Sequence, residues 1–168
     1  MPFDEQEKCH VLICYRRVDT GLAQAVKTRL ETSFNLKVFL DEDCHRPGYL
    51  WREMWKEQLY QAVDSDVAPN LGPTVVVIAT ASACQPRDPD IVVEEIWDAL
   101  HPQKGITDVP IVLLRFGGEG WKELERRLVI RNNGHSGGRD PETIATQLHQ
   151  PEIFKSITSY DNDREYIE

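Results

Sequence analysis

Two arginines and a group of acids are the residues of this chain whose types could do chemistry. Arg16 and Arg17 end the run Val11-Leu12-Ile13-Cys14-Tyr15-Arg16-Arg17-Val18-Asp19. A guanidinium binds phosphate or carboxylate through paired N–H donors, so the two together suggest something anionic. Glu94, Glu95 and Asp98 lie off the apolar stripe of Val92, Ile96 and Leu100. By themselves these acids read as a solvated helix face, with Asp88 and Asp90 favouring the helix N-terminus through its dipole. Arg16 and Arg17 could equally pair with surface acids, and such pairs are worth little.

Other candidates carry less. Gly134-His135-Ser136-Gly137-Gly138 spells Gly-x-Ser-x-Gly, but a nucleophile elbow needs a strand before it and a helix directly after. Leu128-Val129-Ile130 is a poor strand, and Asp140 and His149 crowd too close for a triad, so a glycine loop is the better reading. Gly117-Gly118-Glu119-Gly120 lacks the Lys-Ser/Thr of a P-loop and reads as a turn. Cys9-His10 and Cys44-His45 have no second pair at finger-like spacing, so no metal site is expected.

The elements that must position these residues alternate along the chain. Strands are expected at 10–15, 37–41, 74–80, 109–115 and 154–160. Helices are expected at 20–34, 50–65, 90–101, 119–129 and from Asp161 onward, with a short one within 141–150. Val11 to Cys14 and Thr74 to Ala79 are nearly all apolar, as suits strands covered on both faces. Asp19-Thr20 offers an N-cap, and Leu22, Val26, Leu30 and Phe34 form the expected core stripe of the first helix. Five βα repeats imply a parallel sheet with helices on both faces, a doubly wound α/β sandwich. Arg16 and Arg17 then fall in a strand-to-helix loop, the edge where such sheets bind ligands.

The bulk numbers restrict the function classes. The 168 residues suffice for a single domain with a proper core. A net charge of -9 argues against general nucleic-acid or anionic-membrane binding, while leaving room for a local basic pocket. No stretch approaches transmembrane length, and Met1-Pro2-Phe3-Asp4-Glu5 is acidic rather than signal-like. The four cysteines, Cys9, Cys14, Cys44 and Cys84, include no CxxC pair and read as reduced thiols of a cytoplasmic protein. The ending Asp161 to Glu168 looks like a helix just begun, as in a domain cut from a longer protein.

Three blocks in order resemble the Toll/interleukin-1 receptor (TIR) domain family. Val11 to Asp19 looks like its first box, with Cys14 where Ser is usual. Val38-Phe39-Leu40-Asp41 followed by Arg46-Pro47-Gly48 resembles the second strand and the BB loop. Asp90-Ile91-Val92-Val93-Glu94-Glu95-Ile96-Trp97 is similar to the segment that carries the catalytic glutamate of NAD-cleaving members. Phe154 lies near the weak third box. The resemblance covers essentially the whole chain and implies a flavodoxin-like fold with a five-stranded parallel sheet. One departure stands out: enzymatic members often show Trp-x-x-x-Glu, and here Ile91 takes the Trp place before Glu95.

The resemblance further implies NAD+ as substrate with no separate cofactor or metal. Cleavage breaks the bond between nicotinamide and ribose. The leaving group is neutral, so one carboxylate that stabilises the oxocarbenium-like ribose or holds its hydroxyls is sufficient in principle. Glu95, followed by the aliphatic Ile96, is the expected catalytic residue. Tyr15, Arg16, Arg17, Asp41 and Trp51 are the expected substrate-binding residues, with Trp97 a further aromatic candidate. Arg46, Pro47 and Gly48 are expected to mediate TIR–TIR self-association or docking of other TIR proteins. The expected function is NAD+ hydrolysis or cyclisation in innate immune or cell-death signalling; the alternative is a non-enzymatic signalling scaffold. A response-regulator receiver fits poorly, because no acidic pair ends the first strand and no Asp follows Ala79-Thr80-Ala81.

Overall fold

The computed structural model describes residues 8–41, 51–61, 71–102, 105–106, 109–116 and 120–133. At its centre lies β1 (Val11–Cys14), every residue of which is buried. It is flanked in parallel by β2 (Val38–Phe39) and β3 (Thr74–Ala79), and β3 pairs in parallel with β4 (Ile111–Arg115). The four strands run in the order β2-β1-β3-β4. The helices are α1 (Thr20–Phe34), α2 (Trp51–Leu59), α3 (Ala81–Cys84), α4 (Ile91–Leu100) and α5 (Gly120–Asn133). This is a mixed α/β architecture with helices flanking a parallel sheet.

Strand alternation sorts the core into two layers. Val11, Ile13 and Tyr15 join Val38, Leu40, Val76 and Ile78 in one cluster, closed by Ala23, Leu22, Val26 and Leu30 of α1. Leu12 and Cys14 face the other way, onto Trp55 and Leu59 of α2, Val92 and Ile96 of α4, and Leu124 and Leu128 of α5. Both faces of the sheet are therefore covered, which is why its strands read as apolar runs rather than as alternating ones.

The structure adjusts several expectations. Phe34 is 66 % exposed, although it continues the expected α1 stripe. Each four-residue step overshoots a full turn by about 40°, so three steps carry Phe34 about 120° from Leu22. Ala23 and the aliphatic stem of Lys27 fill the buried side instead. Asp19 does not cap α1 with its side chain. A 3-10 turn, Arg17–Asp19, tightens the helix entry through the backbone, and the Asp19 carboxylate accepts a 2.7 Å bond from the Thr80 hydroxyl.

The second strand is shorter than expected, and α5 runs on through Arg131 to Asn133, which read as loop. The short α3 was not anticipated; Thr80 caps it by accepting from the Ala83 N–H at 3.1 Å. The expected fifth strand at 154–160, the segments after it, the glycine loop at 134–138 and the Arg46-Pro47-Gly48 loop lie outside the described residues. No helix among the described residues is long and apolar enough to cross a membrane.

Candidate active site

The chain leaves β1 for β2 on one side of the sheet and later returns to β3 on the other. Loops at such a switch point diverge and open a crevice beyond the carboxyl ends of the strands. A cavity of about 250 Å³ touches that edge. From β1 and its exit come Ile13, Tyr15, Arg16 and Arg17, and from the end of β2 comes Asp41. The loop into α4 and its first turns give Arg87, Pro89, Ile91, Val92 and Glu95, and α2 gives Trp55. Five of the expected site residues (Tyr15, Arg16, Arg17, Asp41 and Glu95) therefore line one cavity.

Glu95 is buried while the acids beside it are compensated. Its exposure is 7 %, and among the described residues it forms no ion pair. Glu94 instead pairs with Arg52 at 2.9 Å and with Arg131. Asp98 pairs with Arg52 at 3.4 Å and with Lys56 at 3.7 Å. The solvated-face reading is thus excluded for Glu95; Asp98 is buried as well, but it is paired, whereas Glu95 is buried unpaired among the described residues. Burial pushes the Glu95 carboxyl up to about 8, opposed by the neighbouring Cys14 thiol and reinforced by Asp41 and Asp98, while the thiol's own hydrogen bond goes to the Val92 carbonyl at 3.9 Å. The same enclosure, with Glu95 beside it, holds the Cys14 thiol well above its ordinary range. At neutral pH the pair is mostly uncharged.

No protein-family model matches the chain, and no curated protein matches its sequence. The site's reading therefore rests on its own geometry.

Asp41 supplies a second carboxylate. The Tyr15 hydroxyl donates to its Oδ1 at 2.6 Å, and Arg17 stands 3.8 Å from its Oδ2. One cavity thus holds two carboxyl groups in unlike surroundings, Glu95 buried with no ion pair among the described residues and Asp41 held by a hydroxyl and an arginine. Such contrast is the usual basis for dividing acid and charged roles between two carboxyls.

The two sequence-adjacent arginines differ sharply. The Arg16 side chain is 8 % exposed, while that of Arg17 is 65 % exposed. Arg16 Nη2 donates to the Gln85 carbonyl at 2.7 Å and to the Ala83 carbonyl at 3.4 Å, and it pairs with Asp90 at 3.4 Å. Asp90 also pairs with Arg127 and caps α4 by accepting from the Val93 N–H at 3.5 Å. Arg16 therefore lines the cavity and also ties the β1 exit to the loop before α4.

Trp97 lies elsewhere, stacked on His101 with ring centroids 3.9 Å apart. The side chain of Trp51 falls outside the described positions, although α2 begins at that residue. Sequence reading missed Trp55 and Arg87. Trp55 is a core residue, 1 % exposed, that also touches the cavity. Its indole Nε1 is buried with no hydrogen-bond partner among the described residues. Arg87 gave no sequence signal, since it is one arginine in a polar loop.

Among the described residues no group of His, Cys, Asp and Glu could hold a metal ion. Cys9, Cys14 and Cys84 are buried thiols outside any disulfide.

Proposed function

We propose that the chain is a flavodoxin-like TIR domain that cleaves NAD+, releasing nicotinamide and leaving ADP-ribose or its cyclic form. The observation that carries this reading is that Glu95, alone of the three acids on α4, is buried with no ion pair among the described residues, in a cavity at the switch point. The strand order β2-β1-β3-β4 is compatible with the flavodoxin-like order 2-1-3-4-5.

The cavity is smaller than the roughly 300–1,000 Å³ of sites that enclose a whole drug-sized ligand. It takes the nicotinamide riboside end of the substrate, with the phosphates over the rim. The nicotinamide ring carries a positive charge, which favours the ionised form of Glu95 on binding. The bond from ribose C1′ to the ring nitrogen then breaks, its electron pair neutralising the ring. The Glu95 carboxylate stabilises the positive charge left on the ribose. Water adds at C1′ and gives up a proton to complete hydrolysis; attack by a nitrogen of the substrate's own adenine closes the cyclic product. Tyr15 and Trp55, which line the cavity, supply aromatic walls, and Asp41, also in its lining, accepts from a ribose hydroxyl.

A second reading is a scaffold that signals through TIR–TIR contacts without chemistry. It is favoured by two apolar residues exposed at this edge, Val18 at 71 % and Ile91 at 38 %. Ile91 also stands where enzymatic members often have Trp.

The test is incubation of concentrated protein with NAD+, following nicotinamide release, beside Glu95→Ala. Release that is lost in Glu95→Ala supports the enzyme. No release at any concentration, including on a crowding surface, leaves the scaffold.

A further inference from the structure

Three arginines line the cavity, and only one of them is uncommitted. Arg16 is buried against two carbonyls and Asp90. Arg17 is held near Asp41. Arg87 is exposed, lines the same cavity and, among the described residues, has no hydrogen-bond or ion-pair partner. Its nearest acids in sequence do not answer it. Asp90 is taken by Arg16 and Arg127, and Asp88 forms no ion pair among the described residues.

An uncommitted arginine is unexpected in a chain of 28 acidic and 19 basic residues. Arg87 also stands close enough to Arg16 for the two charges to repel, which helps lower the Arg16 guanidinium from its ordinary range after burial has done most of it. A guanidinium that lines the cavity with no ion pair among the described residues is open to an anionic ligand. A planar fork of N–H donors matches a phosphate oxygen pair.

We propose that Arg87 is the phosphate-recognition residue of this cavity, selecting a phosphorylated ribonucleoside over the bare nucleoside. This deepens the reading above and rests on it for the identity of the nucleoside. The buried part of the cavity takes the nucleoside, and Arg87, with Arg17 beside the same opening, takes the phosphates outside. Arg16 positions this rim without contacting the phosphates itself.

The experiment is calorimetric titration of the protein with ADP-ribose and, separately, with nicotinamide riboside. The proteins are wild type, Arg87→Ala, Arg87→Lys and the control Arg126→Ala, which removes an exposed arginine paired with Glu123 on α5. Loss of one charge-assisted contact should weaken ADP-ribose binding about tenfold or more in Arg87→Ala. Nicotinamide riboside binding should stay unchanged, Arg87→Lys should recover part of the loss, and Arg126→Ala should behave as wild type. Wild-type affinity for ADP-ribose should also fall with added salt more steeply than that of Arg87→Ala.

Equal ADP-ribose binding by wild type and Arg87→Ala overturns the proposal. So does an equal loss for both ligands, or no saturable ADP-ribose binding by wild type. Arg87-dependent ADP-ribose binding without nicotinamide release overturns the enzymatic reading alone. Release with Arg87-independent ADP-ribose binding overturns this inference alone.

Discussion

The Tyr15 hydroxyl donates a 2.6 Å hydrogen bond to Asp41 Oδ1, joining the ends of two neighbouring strands across the cavity mouth. Phenol and carboxylate at that distance form a short, charge-assisted bond. The bond holds Asp41 in place in the same cavity as the buried Glu95.

Tyr15→Phe should therefore loosen Asp41 without emptying the core. We expect a stability loss of about 1.5–3 kcal/mol, the net value of a hydrogen bond to a carboxylate. KM for NAD+ should rise several-fold, with kcat changed less, because the ribose contact is misplaced while Glu95 is untouched. Steady-state kinetics with a denaturant titration reads both. An unchanged KM would remove Asp41 from the substrate contacts.

Glu95 should make stability depend on pH in an unusual direction for a carboxylate. Unfolded, its proton leaves near the ordinary value of 4.5; folded, near 8. Between those values the folded state holds the extra proton, so stability falls as pH rises across that window and is flat outside it. The full difference corresponds to roughly 5 kcal/mol, as an upper bound. Glu95→Gln should accordingly be more stable than wild type at pH 9 and similar to it at pH 5, in thermal melts at both. Equal behaviour at pH 9 would mean that Glu95 ionises freely in the folded protein.

Cys14 should tune the pH at which that carboxyl works. Its thiol stands beside the carboxyl and favours the ionised Glu95. Cys14→Ala should move the rising limb of kcat/KM for NAD+ to higher pH, and Cys14→Ser, with a stronger donor, to lower pH. In wild type this limb should lie near pH 8, and the kcat limb should lie below it, because bound nicotinamide favours the charged carboxylate. Profiles that coincide for all three proteins would show that the thiol does not act on Glu95.

Asp90 should matter for stability more than for chemistry. It caps α4 and takes two arginines, Arg16 and Arg127. Asp90→Ala removes a cap, worth about 1 kcal/mol, and leaves two mostly buried guanidinium groups without their acid. The combined loss should be about 3–5 kcal/mol, the range for breaking a buried pair. Urea unfolding measures it; a loss under 1 kcal/mol would place Asp90 among the ordinary surface acids.

Local pattern carried much of the architecture. The apolar runs at Val11 to Cys14 and Thr74 to Ala79 named two strands, because strands buried on both faces need nothing but apolar residues, and Ile111 to Leu114 named a third that is only half buried. The Val92-Ile96-Leu100 stripe named α4 for the matching reason. Tyr15, Arg16, Arg17, Asp41 and Glu95 were all legible as site candidates, and the sheet brings them to one cavity.

Partnership and burial were not legible, because both are set by residues distant in the chain. Glu94 and Glu95 are neighbours in sequence, separated in fate by a helical turn of about 100°. That turn points Glu94 to Arg52 and Arg131, 42 and 37 residues away, and Glu95 towards Cys14. Arg16 and Arg87 likewise exchange their expected prominence. The backbone carbonyls of Ala83 and Gln85, 67 and 69 residues along, occupy Arg16 and leave Arg87 at the mouth. The sequence by itself determined which segments form strands and helices and which residue types stand at their ends. Only the tertiary structure decided which carboxyl is desolvated and which cation is uncommitted, because desolvation and pairing are sums over neighbours that the chain brings together from afar.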